Sequence, residues 1–259
     1  MKIKLLPSSF DEKGEASPEQ HLTCYLLDDR VALDAGSLSL TFGQGHRRLV
    51  RDIIITHPHL DHTAGLPFFI DDLFEALQEP VRVHGTEEAI DALEDHIFNW
   101  KTYPRFSEIQ NNHGRVMEYH PFKIREEFQV AHLKIKAIPV NHQVPTVGLI
   151  ISDGKSTIAL SSDTAETDEF WQALNNEPKL DALLVESSFP NELEDLARSS
   201  YHLTPRLLKS ELAKLKHQTR VLAVHLKPAY YEQTRKELDE LGLANLEVMR
   251  TSEDYLFGA

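Results

Sequence analysis

The sequence is short of several things. It has one cysteine, Cys24, in 259 residues, so an internal disulfide is excluded, and within its apolar run the thiol reads as a small buried side chain. A lone thiol suits a reducing compartment, and a cytoplasmic location is the expectation. No apolar run approaches the roughly 20 residues needed to cross a bilayer, so no membrane partner is expected. The opening MKIKLLPSS lacks a small-residue cleavage pattern, and no signal peptide is expected. Basic residues are outnumbered, 27 Lys and Arg against 41 Asp and Glu, for a formal net charge of −14. That balance argues against a surface built to track a polymeric nucleic acid, which needs clustered cations. The one compact basic group, Arg47, Arg48 and Arg51, reads as a solvated face. A small anionic substrate stays compatible, because bound metal ions would dominate the local field. Internal repeats, low-complexity tracts and linkers are also missing, which leaves 1–259 as a single domain.

What is present is a strand-rich pattern. Apolar, β-branched runs fall at 22–27, 52–56, 81–84, 130–140, 147–152, 157–161, 182–185 and 220–224. Asp153-Gly154 between two of them predicts a hairpin with a type I′ turn, which needs positive φ at both central residues. Helical periodicity appears at 66–77, 86–97, 204–215 and 230–241, the second opening on Thr86 with acids behind it. Helices do not alternate one-for-one with strands. The pattern suits an α/β, α+β-layered fold of two packed sheets flanked by helices rather than a parallel βαβ array. Residues 99–128 are less regular and read as an insertion or lid. Its Trp100, Tyr103 and Phe106 could close over a bound planar ring, or simply pack the segment onto the core.

The chemistry is concentrated in His57-Pro58-His59-Leu60-Asp61-His62, directly after the run Asp-Ile-Ile-Ile-Thr. Three imidazoles and a carboxylate on a turn leaving a strand can serve two neighbouring metal ions, since both donors suit Zn²⁺. The plainer alternative is a polar loop rich in histidine. Three more candidates argue against it, because His142, Asp163 and His225 each follow an apolar run and so sit where buried strands end on one rim. A carboxylate can give one oxygen to each ion, which makes Asp163 the bridge. The set then reads His57, His59 and His142 on one metal, with Asp61, His62 and His225 on the other. Ions so bridged share a water acidic enough to form hydroxide near neutrality.

These residues resemble the metallo-β-lactamase superfamily, which implies an αββα sandwich with metals at the sheet edges. Within it the chain is most similar to class II 3′,5′-cyclic-nucleotide phosphodiesterases. The stretches carrying that likeness are HLTCYLLDDRVALDAGS (21–37), HPHLDHTAGL (57–66), ESSFPN (186–191) and HLTP (202–205). Thr63, and Ile70-Asp71, depart from the class II pattern of an aliphatic residue and a later Ser-Ala or Ser-Pro pair. The resemblance implies that Asp34 holds a metal-binding histidine, a plain Asp-Gly turn being the alternative. It also implies that Glu186 orients His202 toward a scissile phosphate, where a histidine can donate to a phosphoryl oxygen or protonate the leaving alkoxide. His202 could otherwise just precede the helix that Thr204 and Pro205 start. The expectation is hydrolysis of a 3′,5′-cyclic nucleotide, cAMP foremost, to the 5′-monophosphate. His202, Glu186 and Asp61 are the catalytic set, and the cofactors are two divalent ions, zinc first with manganese or iron as alternatives. Two rival readings are an RNA 3′-processing nuclease of the same superfamily and a metal-loaded sensor without turnover. A homodimer is left open.

Overall fold

The computed structural model describes residues 1–40 and 49–258. The chain passes through β1 (Lys2–Leu5), β2 (Tyr25–Leu27), β3 (Val31–Leu33), β4 (Asp52–Ile54), α1 (Leu60–Thr63), α2 (Gly65–Leu73), β5 (Val81–Gly85) and α3 (Glu87–His96). A small hairpin of β6 (Gln110–Asn111) and β7 (Gly114–Arg115) precedes β8 (Met117–Pro121), β9 (Glu127–Val130), β10 (Leu133–Pro139), β11 (Val147–Ser152) and β12 (Thr157–Leu160). Then come α4 (Glu169–Asn176), β13 (Ala182–Glu186), α5 (Glu194–Ser199), α6 (Pro205–Leu212) and β14 (Arg220–Val224). The chain ends through α7 (Tyr231–Glu240), β15 (Leu246–Val248) and β16 (Tyr255–Leu256).

Two seven-stranded sheets result, in the orders β16-β1-β2-β3-β4-β5-β8 and β15-β14-β13-β12-β11-β10-β9. Each sheet is half antiparallel and half parallel. In the first, β16 to β3 pair antiparallel and β3, β4, β5 and β8 pair parallel. In the second, β9 to β12 pair antiparallel and β12 to β15 pair parallel. Among the parallel strands, β3, β12 and β13 are largely apolar and buried on both faces, as central strands covered on both sides require. Val31 and Leu33 belong to the core between the sheets, whereas Ala32 and Ile53 belong to the core beneath α2. A third apolar cluster joins the second sheet to α4, α6 and α7 through Trp171, Leu208 and Leu238. The layers are therefore helix, sheet, sheet, helix, as expected.

Local signals hold where side chains make the caps. Thr86 accepts from Ala89 N at 3.2 Å and starts α3, and Thr204 accepts from Leu207 N at 3.3 Å ahead of Pro205 in α6. Other expectations need correction. The run at 130–140 is two strands, β9 and β10, broken where Ala131 takes φ +51°. The hairpin at Asp153-Gly154 forms, but Ser152 pairs with Thr157, so the loop has four residues and only Gly154 has positive φ. The Asp153 carboxylate organises it instead, accepting from Lys155 N at 2.8 Å and Ser156 N at 2.7 Å. Within 99–128, expected as an insertion or lid, β8 lies and β9 begins, and each forms one of the two edges of its sheet. Phe106 is buried against Phe74 and Phe98, and Tyr103 packs on Phe68 and donates to Asp71 at 3.2 Å. Those two aromatics serve packing, and Trp100 is 57% exposed. Arg47 and Arg48 of the expected basic face lie outside the described residues. No helix among the described residues is long and apolar enough to cross a membrane.

Candidate metal centre

The carboxyl ends of the parallel strands bring the chemistry together. Asp34 follows β3, His57 follows β4, Asp163 follows β12, Glu186 ends β13, and His225 follows β14. Positive φ at Asp34 (57°), Ser162 (56°) and His225 (60°) turns the chain sharply at three of these exits. The turn after β3 cradles the histidine-rich loop. Thr23 N donates to Asp61 O at 2.7 Å and Ala35 N to His62 O at 2.7 Å. Gly36 is required there by close approach, since a Cβ would meet Asp61 O at 1.9 Å.

Two groups of donor atoms result, each spanning no more than 4.8 Å: His57, His59, His142 and Asp163, and Asp61, His62, Asp163 and His225. Asp163 belongs to both. Its carboxylate lies 3.8 Å from His57 Nε2, 3.4 Å from His62 Nε2 and 3.2 Å from His225 Nε2.

Hydrogen bonds fix which nitrogen each ring presents. His62 Nδ1 meets Asp34 Oδ2 at 2.7 Å, His142 Nδ1 meets Tyr201 O at 3.0 Å, and His225 Nδ1 meets Thr23 Oγ1 at 3.1 Å. His57 Nδ1 lies 3.1 Å from Thr56 Oγ1, which itself donates to Asp34 at 3.0 Å. With Nδ1–H engaged by an acceptor, each ring offers the Nε2 lone pair, the arrangement that outer partners give metal-binding histidines. His59 turns its Nδ1 inward, 3.3 Å from His142 Nε2.

The donor set fits two divalent cations. Among the described residues the Nε2 atoms of His57 and His62 are buried without a hydrogen-bond partner, a costly state unless something coordinates them. Burial pushes His57 well below its ordinary pKa, and His59 and His142 are lowered for the same chief reason, which favours the neutral form a ligand needs. Burial acts on His62 in the same direction, yet Asp163 and Asp34 outweigh it and hold this imidazole well above its usual range. A positive charge is favoured at that spot.

Glu186 and His202 lie beside the two groups. His202 Nδ1 is 2.8 Å from Glu186 Oε1, and its ring centroid is 5.2 Å from that of His142 and 5.7 Å from that of His225. The buried Glu186 carboxylate also accepts from Thr164 N at 2.7 Å, Ser188 Oγ at 2.7 Å and Leu203 N at 3.2 Å. Burial would lift its pKa, but His202 outweighs burial and holds it low. Conversely, burial would lower His202, and Glu186 holds it above its ordinary value. Thr23, Thr56, Tyr201, Ser188 and Lys227 were absent from the residues singled out in the sequence. Lys227 Nζ is 2.9 Å from His225 Nε2 and 3.4 Å from Asp61 Oδ2. For all but Thr23 the available signal was proximity, since Thr56, Tyr201, Ser188 and Lys227 lie within two residues of His57, His202, Glu186 and His225.

An αββα sandwich whose parallel strand ends gather paired His/Asp groups defines a metallo-hydrolase class. A family model described as "Beta-lactamase superfamily domain" matches residues 33–226, and the chain belongs to that superfamily as a hydrolase of the metallo-β-lactamase fold. It is 26% identical over 241 residues, 83% of this chain and 67% of the other, to a Yersinia pestis protein named "Probable 3',5'-cyclic-nucleotide phosphodiesterase". It is 24% identical over 238 residues, 74% of each chain, to "Ribonuclease Z" of Latilactobacillus sakei subsp. sakei (strain 23K). The crystal structure of unliganded yeast PDE1 superposes with a TM-score of 0.78 over 99% of both chains at 18% identity, a likeness of fold.

Proposed function

We propose that this chain hydrolyses a 3′,5′-cyclic nucleotide, cAMP foremost, to the 5′-monophosphate. The observation that carries the reading is the Glu186–His202 pair standing beside two complete donor groups that share Asp163. His57, His59 and His142 would hold one divalent ion and Asp61, His62 and His225 the other. Zinc is the first choice for such donors. When bound, the ions would acidify water for attack on phosphorus and stabilise the attacking and leaving oxygens. The chain's own residues do the rest. Asp34, Tyr201 and Thr23 hold the rings of His62, His142 and His225 in the tautomer that faces the ions. His202, whose protonated form Glu186 favours, would donate to a phosphoryl oxygen or give its proton to the departing 3′ oxygen. The buried thiol of Cys24 suits the cytoplasmic location expected from the sequence.

The similarity to ribonuclease Z supports a second reading, 3′ processing of RNA, against which stands the net charge of −14. One assay separates them. Purified protein of measured metal content is given 3′,5′-cAMP, 3′,5′-cGMP, linear phosphodiesters and a precursor tRNA under the same metal loading. Turnover of a cyclic nucleotide far above that of the RNA is expected, and the reverse order overturns the proposal. Tight cyclic-nucleotide binding without product would instead mark a sensor.

A further inference from the structure

We infer that Lys227, Phe189 and Tyr230 form the substrate-recognition wall of this centre, the lysine taking the phosphate and the two rings, tilted 51° to each other, packing against the base. The inference rests on the phosphodiesterase reading. Of the two roles open to the rings at 103 and 106, packing is the one they take, whereas another aromatic pair stands next to His202. The Phe189 ring lies 5.8 Å from that of His202 at an interplanar angle of 64°, and the Tyr230 ring lies 6.0 Å from Phe189. Both residues are only partly buried. The loops that bear them are tied together: Lys227 N donates to Ser188 O at 3.1 Å, and Tyr230 N to Lys227 O at 2.9 Å. Phe189 stands three residues past Glu186 and Lys227 two past His225, so both follow strand ends that build the centre.

The argument for Lys227 is electrostatic. Asp61, Asp163 and Glu186 gather three carboxylates at the site. Against them stands the ammonium of Lys227, half-buried and 3.4 Å from Asp61 Oδ2. Its nearest neighbour is His225 Nε2, at 2.9 Å. That nitrogen has one lone pair, and when it serves a metal ion it cannot accept from the lysine. The ammonium donors are then available to an anion held against the ions.

The test is calorimetric binding to zinc-loaded protein, with elemental analysis of every variant. The probes are 5′-AMP, ribose 5-phosphate and inorganic phosphate. F189A and Y230A should weaken AMP by about 5- to 150-fold and leave ribose 5-phosphate unchanged, as loss of base–aromatic contact predicts. K227Q should weaken all three probes by about 10- to 150-fold with metal content intact, and K227R should restore most of the affinity. Equal losses for AMP and ribose 5-phosphate in the ring variants overturn the rings' role. Unchanged phosphate affinity in K227Q, or loss of its metal, overturns the lysine's role. Cyclic-nucleotide turnover by the unaltered protein is measured in parallel. Ring-dependent AMP binding without such turnover sinks the phosphodiesterase reading and leaves the wall standing, while turnover with ring-independent affinity sinks the wall alone.

Discussion

At the residue scale, the chemistry divides into groups that would touch the ions and groups that aim them. Asp163 joins both donor groups, whereas the Asp34 carboxylate, among the described residues, bonds His62 and Thr56. Asp163→Ala should therefore empty the dinuclear centre, while Asp34→Ala should weaken metal affinity by about 10- to 100-fold, the usual effect of losing an outer partner. Equilibrium dialysis with zinc measures both, and full occupancy in the Asp163 variant would show that the bridge is misassigned. His202 belongs to neither donor group. His202→Ala should keep both metals and slow turnover by about 10²–10³-fold, as removal of one donor to developing charge does. If the lost step is protonation of the 3′ oxygen, the defect should shrink for a nitrophenyl phosphodiester, whose leaving group needs no acid. Loss of metal, or normal turnover of both substrates, reduces His202 to a residue preceding α6.

At the element scale, the positions of the strand-end residues were legible in the sequence because each stands at the end of an apolar strand. Metal chemistry also draws on few residue types. Thr23 and Thr56 were not legible, since a threonine that receives an imidazole N–H looks like any threonine in a strand-rich chain. The aromatics of the 99–128 segment were left between two readings for a related reason. Aromatics mark a binding surface or a packed one alike, and only the partners of Phe106 and Tyr103 decide it. α4 went unread because Phe170, Trp171 and Leu174 give too short a period in eight residues. The contact between the β3 turn and the 57–62 loop is open to test. In Gly36→Ala the new methyl would meet Asp61 O at 1.9 Å and Thr23 N at 2.8 Å, both backbone atoms that cannot swing aside. The expected cost is at least the about 1–3 kcal/mol of ordinary overpacking, with loss of metal as the loop is pushed off its turn. Gly85→Ala is the control, because its methyl meets only side chains at 3.4 Å or more. Urea unfolding and metal analysis should separate the two, and equal behaviour would show that the close approach is relaxed at no cost.

At the scale of the whole molecule, the two sheets repeat one plan, three antiparallel pairings followed by three parallel ones, with the parallel ends supplying most of the site and antiparallel β10 adding His142. The sequence shows no repeat, because a pairing plan needs only apolar strands of suitable length and tolerates any choice among Val, Ile and Leu. This plan places donors from different sheets on the same ions. His57, His59, Asp61 and His62 leave the first sheet, while His142, Asp163 and His225 leave the second. Bound ions would thus link the two halves across their shared core and neutralise carboxylates gathered at one edge. Metal removal should weaken the fold as well as the chemistry. A ligand present at a thousand times its Kd stabilises the folded state by about 4 kcal/mol. At roughly 2–4 °C for each kcal/mol in a chain of this size, Tm should fall by about 10 °C on chelation. Activity should vanish with it, and zinc or manganese should restore both. Scanning calorimetry and turnover on the same samples test the link. A verified metal-free preparation that keeps its Tm would mean that the sheets are held by apolar packing alone, and one that keeps full activity would remove the ions from the mechanism.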